Sequence, residues 1–163
     1  MPIYGFSVAR EALMDRLPGA QLHHVPLQNT ASLLHALAQI DLKVLGISRE
    51  KHHRYLISDG VMRGVLLCEG DDPVAYAYVS PDGHIGPLAV ARPDALEAAF
   101  TTTLKLAAER GALQVSALIP GTSEAALSVA VGLGMRITFP MLLMSNRRFG
   151  DWAHYLPRNP GFM

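Results

Sequence analysis

The chain has 163 residues, half of them hydrophobic, and sets 14 Lys plus Arg against 14 Asp plus Glu. That length is one domain's worth, and the apolar share is ample for a continuous core. The charge balance leaves no net field to draw in nucleic acid or an anionic membrane, while near-neutral surfaces associate readily, so a self-associating face is expected.

The single cysteine, Cys68, has no partner for an internal disulfide, as suits a reducing compartment. MPIYGFSVAREALMDR lacks the basic head and apolar stretch of a secretory leader. The apolar runs are far shorter than a bilayer span. The expectation is a soluble, cytoplasmic protein.

Residues 1–20 admit two readings. Ser7 suits the cap of a short helix carrying Val8, Ala12, Leu13 and Leu17, and the same stretch also reads as β. QLHHVPLQ (21–28) predicts a strand that Pro26 confines to an edge or bulge. Asn29 or Thr30 caps the next helix, in which Leu33, Leu34, Leu37, Ile40, Leu42 and Leu45 form a wide apolar stripe ended by Gly46. Ser48 is the expected cap of a second helix, which closes at Asp59-Gly60.

The period then changes. Met62–Glu69, Val74–Ser80 and His84–Val90 predict three antiparallel strands joined by the turns at Gly70–Pro73 and Pro81–Gly83. Pro93 suits the first turn of a helix running to Gly111, and Leu113–Ile119 is a strand. Ser123 caps a helix through Val131, with Glu124 near its N-terminal dipole. Met135–Ser145 reads as a last strand or bent pair broken near Pro140. The tail from Asn146 is rich in Arg, Pro and Gly, and its Phe149, Trp152, Tyr155 and Phe162 suit an interface or an anchor for the terminus itself.

This order, together with IGPLAV (85–90) and the run from Ser123 to GLGM (132–135), resembles the GNAT acyltransferase superfamily. The resemblance implies an α/β (α+β) fold over residues 21–145: a mixed, mostly antiparallel sheet flanked by helices in the order β-α-α-β-β-β-α-β-α-β(-β). Residues 146–163 follow as a tail. The implied reaction is transfer of an acyl group from acetyl-CoA or another acyl-CoA to a small-molecule amine. In such enzymes the IGPLAV strand splays from the strand at LQVSALI (113–119), and the ligand lies in the wedge. Backbone groups of Leu88, Ala89 and Val90 would then meet the pantetheine and the acyl carbonyl, because buried N–H groups at a splayed edge need partners. The residue types by themselves fit an ordinary central strand better.

Two motifs depart from the family's pattern. The family follows this strand with a Gly-rich loop whose N–H groups hold the CoA pyrophosphate at a helix N-terminus. Here Ala91-Arg92-Pro93-Asp94-Ala95-Leu96 has no glycine, Pro93 removes a donor, and Asp94 and Glu97 put negative charge where a phosphate would sit. Arg92 is the one cation there to compensate. The family's tyrosine acid, which protonates the leaving thiolate, falls on Ala130, with Ser123 and Ala126 at the preceding motif positions. Tyr76 or Tyr78 is a substitute on the neighbouring hairpin, although alternating tyrosines also serve as packing residues. His84, at the start of the wedge strand, is the candidate general base, or else a turn-flanking surface histidine.

These departures imply an activity reduced or lost. They leave as the other reading a non-catalytic ligand-binding or dimerisation module. YGFSVAREALMDR (4–16) also looks like GMRITFPMLLMS (134–145), as in the last strand of a preceding GNAT unit. That likeness suggests the C-terminal half of a tandem protein, working as a homodimer or paired with another GNAT domain. The adjacent pairs His23-His24 and His52-His53 lack a metal-binding context, so no metal site is expected.

Overall fold

The N-terminal ambiguity resolves toward β. In the computed structural model, which describes residues 1–19, 22–147 and 149–159, β1 runs over Pro2–Ala9 and only then turns into the short helix α1, Arg10–Met14. Ser7 therefore lies inside a strand and caps nothing. Its neighbours explain why: Phe6 and Val8 are buried on one face of the strand and Ile3 on the other, and a strand gives these side chains partners on both flanks.

Strand β2 (His23–Pro26) holds the far edge of the sheet, where the missing N–H of Pro26 costs little. Helix α2 (Ala31–Leu45) starts after Thr30, whose hydroxyl meets Ser32 rather than capping the backbone, and stops at Gly46 in the left-handed region. Helix α3 (Glu50–Asp59) has Arg49, not Ser48, at its N-cap position. The reason is that the Arg49 backbone N–H is bonded to Asp41 of α2 at 3.0 Å, which sets where the chain turns.

The meander follows as β3 (Arg63–Glu69), β4 (Asp72–Val79) and β5 (His84–Val90). A 3-10 turn at Pro93–Ala95 leads into α4 (Leu96–Glu109), then β6 (Gln114–Pro120), α5 (Glu124–Gly132) and β7 (Arg136–Leu142). A two-residue strand in the tail, β8 (Tyr155–Leu156), completes the series. Gln21 and Phe162, part of the expected strand and tail, lie outside the described residues.

The sheet runs β2-β3-β4-β5-β6-β1-β7, with β8 attached to β5. All of its described pairings are antiparallel except β5–β6. The segment 1–9 thus belongs to the same sheet as residues 21–145, inserted between β6 and β7, with Gly5 opposite Phe139. There a Cβ on Gly5 would lie 2.5 Å from the Phe139 ring, so glycine leaves the space the ring occupies.

Pro140 does not break β7. Met1 and Leu143 exchange both backbone bonds, at 3.0 and 2.9 Å. Stepping along the antiparallel ladder makes Tyr4–Pro140 a non-bonded pair, so the proline nitrogen faces the free edge and blunts it.

One face of the sheet packs against α1, α4 and α5, with Phe100, Leu104, Leu88 and Ile119 among its fully buried residues. The other packs against α2 and α3 around Leu37, Leu56, Tyr76 and Tyr78. No helix among the described residues is long and apolar enough to cross a membrane.

Candidate functional site: a wedge closed by the tail

Strands β5 and β6 run parallel and pair at two positions among the described residues, His84 with Ser116 and Ile85 with Ala117. Beyond Ile85 they part. Gly86 sits at the parting point with φ +147, a conformation side chains resist. The sequence expectation of a splayed pair is realised here, and it positions Leu88, Ala89 and Val90 along the open side of β5.

That side is not free. Strand β8 lies in the gap, antiparallel to β5, with Leu156 opposite Leu88 and Tyr155 opposite Ala89. The Val90 N–H donates to the carbonyl of His154 at 3.0 Å. The alternation of a strand sends Leu156 into the apolar cluster on the α4/α5 face and Tyr155 into the cluster on the α2/α3 face. Both are fully buried. The tail comes so close that a Cβ on Gly86 would lie 2.6 Å from the Pro157 carbonyl oxygen.

Two more residues singled out from the sequence face the tail as well. His84 Nε2 donates to the carbonyl of Arg158 at 2.6 Å, and its Nδ1 lies 2.9 Å from the Ser116 hydroxyl. With both ring nitrogens engaged, and with burial holding its pKa below the usual histidine range, His84 is a neutral clamp in this arrangement. Ser123 occupies the N-cap position of α5 but makes no side-chain cap bond. Its hydroxyl instead donates to the Ala153 carbonyl at 2.6 Å, which is why the capping expectation fails.

Arg92 does not reach the wedge. It is ion-paired with Glu69 and, at 3.0 Å, with Asp94, and these bonds raise its already high pKa. The turn at 91–96 thus presents a neutralised arginine and no glycine. Its backbone is committed to a 3-10 turn, with the Ala95 N–H bonded to Arg92.

A second constellation, missed from the sequence, lies directly behind Tyr155. Asp41 of α2 is fully buried, and its Oδ1 accepts from Arg49 Nη2 at 3.1 Å and from the Tyr76 hydroxyl at 2.6 Å. Its Oδ2 accepts from His53 Nε2 at 2.9 Å. The Tyr78 hydroxyl lies 2.9 Å from His53 Nδ1, and in the neutral ring it is the donor. Arg49 also bonds the Tyr76 hydroxyl, donates to the Tyr155 hydroxyl at 2.7 Å, and stands over the Tyr155 ring.

Burial by itself would raise the Asp41 pKa. The His53 bond and the Arg49 charge more than offset that and hold the carboxyl below its usual range. Burial pushes the Tyr76 and Tyr78 hydroxyls up, so both stay protonated donors. The two tyrosines are therefore members of a satisfied network and not solvent-facing acids. Asp41 was the available signal: it is a carboxylate within the buried stripe of α2, beside Ile40 and one turn from Leu37.

Beside the closed wedge, a cavity of about 670 Å³ is lined by Thr122, Leu143, Asn146, Arg147, Phe149 and Trp152, with other tail residues. Phe149 and Trp152 stack edge to face there, and Trp152 does the same with Tyr155. None of the paired histidines lines this cavity: His23 and His24 are on β2, His52 is on α3, and His53 of α3 belongs to the Asp41 network.

No protein-family model and no curated protein matches the sequence. Solved structures do. A provisionally assigned acetyltransferase from Pyrococcus horikoshii superposes with a TM-score of 0.71 at 19% identity, over 99% of this chain and 52% of its own. A Drosophila protein gives 0.64 at 12% identity, over 98% of this chain and 51% of its own. A conserved Staphylococcus epidermidis protein of unknown function gives 0.60 at 9% identity, over 85% of this chain and 58% of its own. The fold is GNAT-like, and the chain spans little more than half the length of each of these neighbours.

Proposed function

We propose that this chain is a GNAT-like module descended from an acyl-CoA-dependent N-acyltransferase and inactive in transfer as folded here. The observation that carries the reading is the strand β8 between β5 and β6, taking up the Val90 N–H that an acyl-pantetheine ligand would use. Three further features support it. Ala130 stands where the family's tyrosine acid falls, Arg92 is held by two carboxylates, and His84 is engaged at both ring nitrogens. Calorimetric titration of the full chain with acetyl-CoA and with CoA tests the reading. No heat of binding is expected up to millimolar ligand, and micromolar binding would overturn it.

A partner role accompanies the loss of transfer. Ile137, Phe139, Leu142 and Met144 on and after β7 are large apolar residues exposed among the described residues. Because Pro140 blunts the edge, the contact that suits them is face to face and not strand to strand. Neighbours nearly twice as long as this chain have room for a second unit of similar size, and a second copy is the occupant that fits here. Sedimentation of the chain is expected to show a dimer that Leu142→Arg dissociates; a wild-type monomer at high concentration would remove this part of the proposal.

A further inference from the structure

Four groups that hold the tail sit on elements outside it: His84 at the start of β5, the Val90 N–H at its end, Ser123 before α5, and Arg49 before α3. Each donates to the tail, three of them to a backbone carbonyl. A buried donor left without an acceptor loses its hydration and gains nothing in return. The gap between β5 and β6 therefore has to be filled by something extended that carries amide-type acceptors.

The filler is attached loosely. Described residues of the connection, Met144–Arg147 and Phe149–Asp151, are exposed, and they meet α2 through the Asp151 N–H bond to Val44 and the packing of Gly150 on Leu45. Past Asp151 the chain becomes buried at Tyr155, Leu156 and Pro157. A short buried strand on an exposed leader can withdraw without dismantling either helical layer.

We infer that residues 153–158 are an internal competitor of the acyl-pantetheine arm: strap and ligand exclude one another, and withdrawal of the strap opens the site. This rests on the GNAT-like reading of the wedge. Its specificity follows from the neighbouring turn. Arg92 is committed to Glu69 and Asp94, and no glycine frees N–H groups for a pyrophosphate. The opened site grips the pantetheine arm and gains nothing from the nucleotide, so S-acetylpantetheine and acetyl-CoA bind it alike.

The test compares the full-length wild type with Leu156→Ser and, separately, Tyr155→Ala, changes confined to the strap. Hydrogen exchange reads strap opening at the Val90 and Leu156 amides, and titration with S-acetylpantetheine and acetyl-CoA reads the site. Opening the strap is expected to speed exchange at Val90 and to tighten both ligands by about tenfold or more, since apparent affinity scales with the open fraction. A folded variant that exchanges quickly at Val90 yet binds no better overturns the inference, as does a variant whose exchange is unchanged. If neither variant folds, Leu156→Ala takes their place, with the same two readouts and the same outcomes deciding. Tight wild-type binding with the strap still protected would instead sink the closed-module reading.

Discussion

On the α4/α5 face, Leu88, Phe100, Leu104, Ile119 and Leu156 form an apolar cluster, whereas the α2/α3 face buries Asp41, Arg49 and His53 among three tyrosines. The first arrangement depends on volume and is non-directional; the second depends on every donor meeting its acceptor. The tail contributes to both, Leu156 to one and Tyr155 to the other. The strap is thus held by packing on one side and by hydrogen-bond geometry on the other.

The sharpest way to break the comparison is Asp41→Ala. It strands Arg49 as a buried unpaired charge and is expected to cost about 3–5 kcal/mol in urea unfolding. Leu156→Ala on the apolar side should cost about 2–4 kcal/mol by cavity formation, with the lower end expected if the strap leaves instead of strapping a void. Tyr155→Phe keeps the ring and removes only the acceptor of Arg49, so about 1–2 kcal/mol is expected by the same measurement. Leu104→Met, which conserves volume, should cost less than about 1.5 kcal/mol. A loss from Leu104→Met as large as that from Asp41→Ala would erase the distinction between the faces.

A pH series sharpens it further. Burial and the Arg49 charge push the His52 pKa down to about 4 from an ordinary 6.5. The His84 pKa is lowered as well. As pH falls from 7 toward 4, the unfolded chain takes up protons that the folded chain refuses, so the stability these groups contribute above pH 6.5 declines. Asp41 acts in a lower window: its depressed pKa supports the fold above the ordinary carboxylate range, and that support is lost only below it. A urea midpoint that does not drop between pH 7 and 4.5 would contradict the histidine part.

Much of the fold was legible in the residues themselves. The apolar stripe of α2, the Gly46 and Gly60 stops, and the turns at 70–73 and 81–83 are local signals, and local signals need no tertiary partner to act. The missing phosphate loop was legible for the same reason, being a stretch of a few consecutive residues, whereas the wedge was implied by the family resemblance and not by the residue types of its strand. Where the readings failed or were left open, a distant contact had decided against a local preference. Ser7 joined a strand because β6 and β7 flank it, Ser48 lost the cap position to an Arg49–Asp41 bond, and Ser123 turned from its helix to Ala153.

Composition, periodicity and turn chemistry determined that this chain makes a helix-flanked mixed sheet, because those features are written in neighbouring residues; the splayed strand pair was implied only by the family resemblance. Tertiary structure alone decided what fills the splay. The match between a tail strand and β5, and between Tyr155 and a guanidinium 106 positions earlier, is a juxtaposition of distant segments. No local period encodes such a meeting; it exists only once both layers have packed and left buried donors that the tail can satisfy.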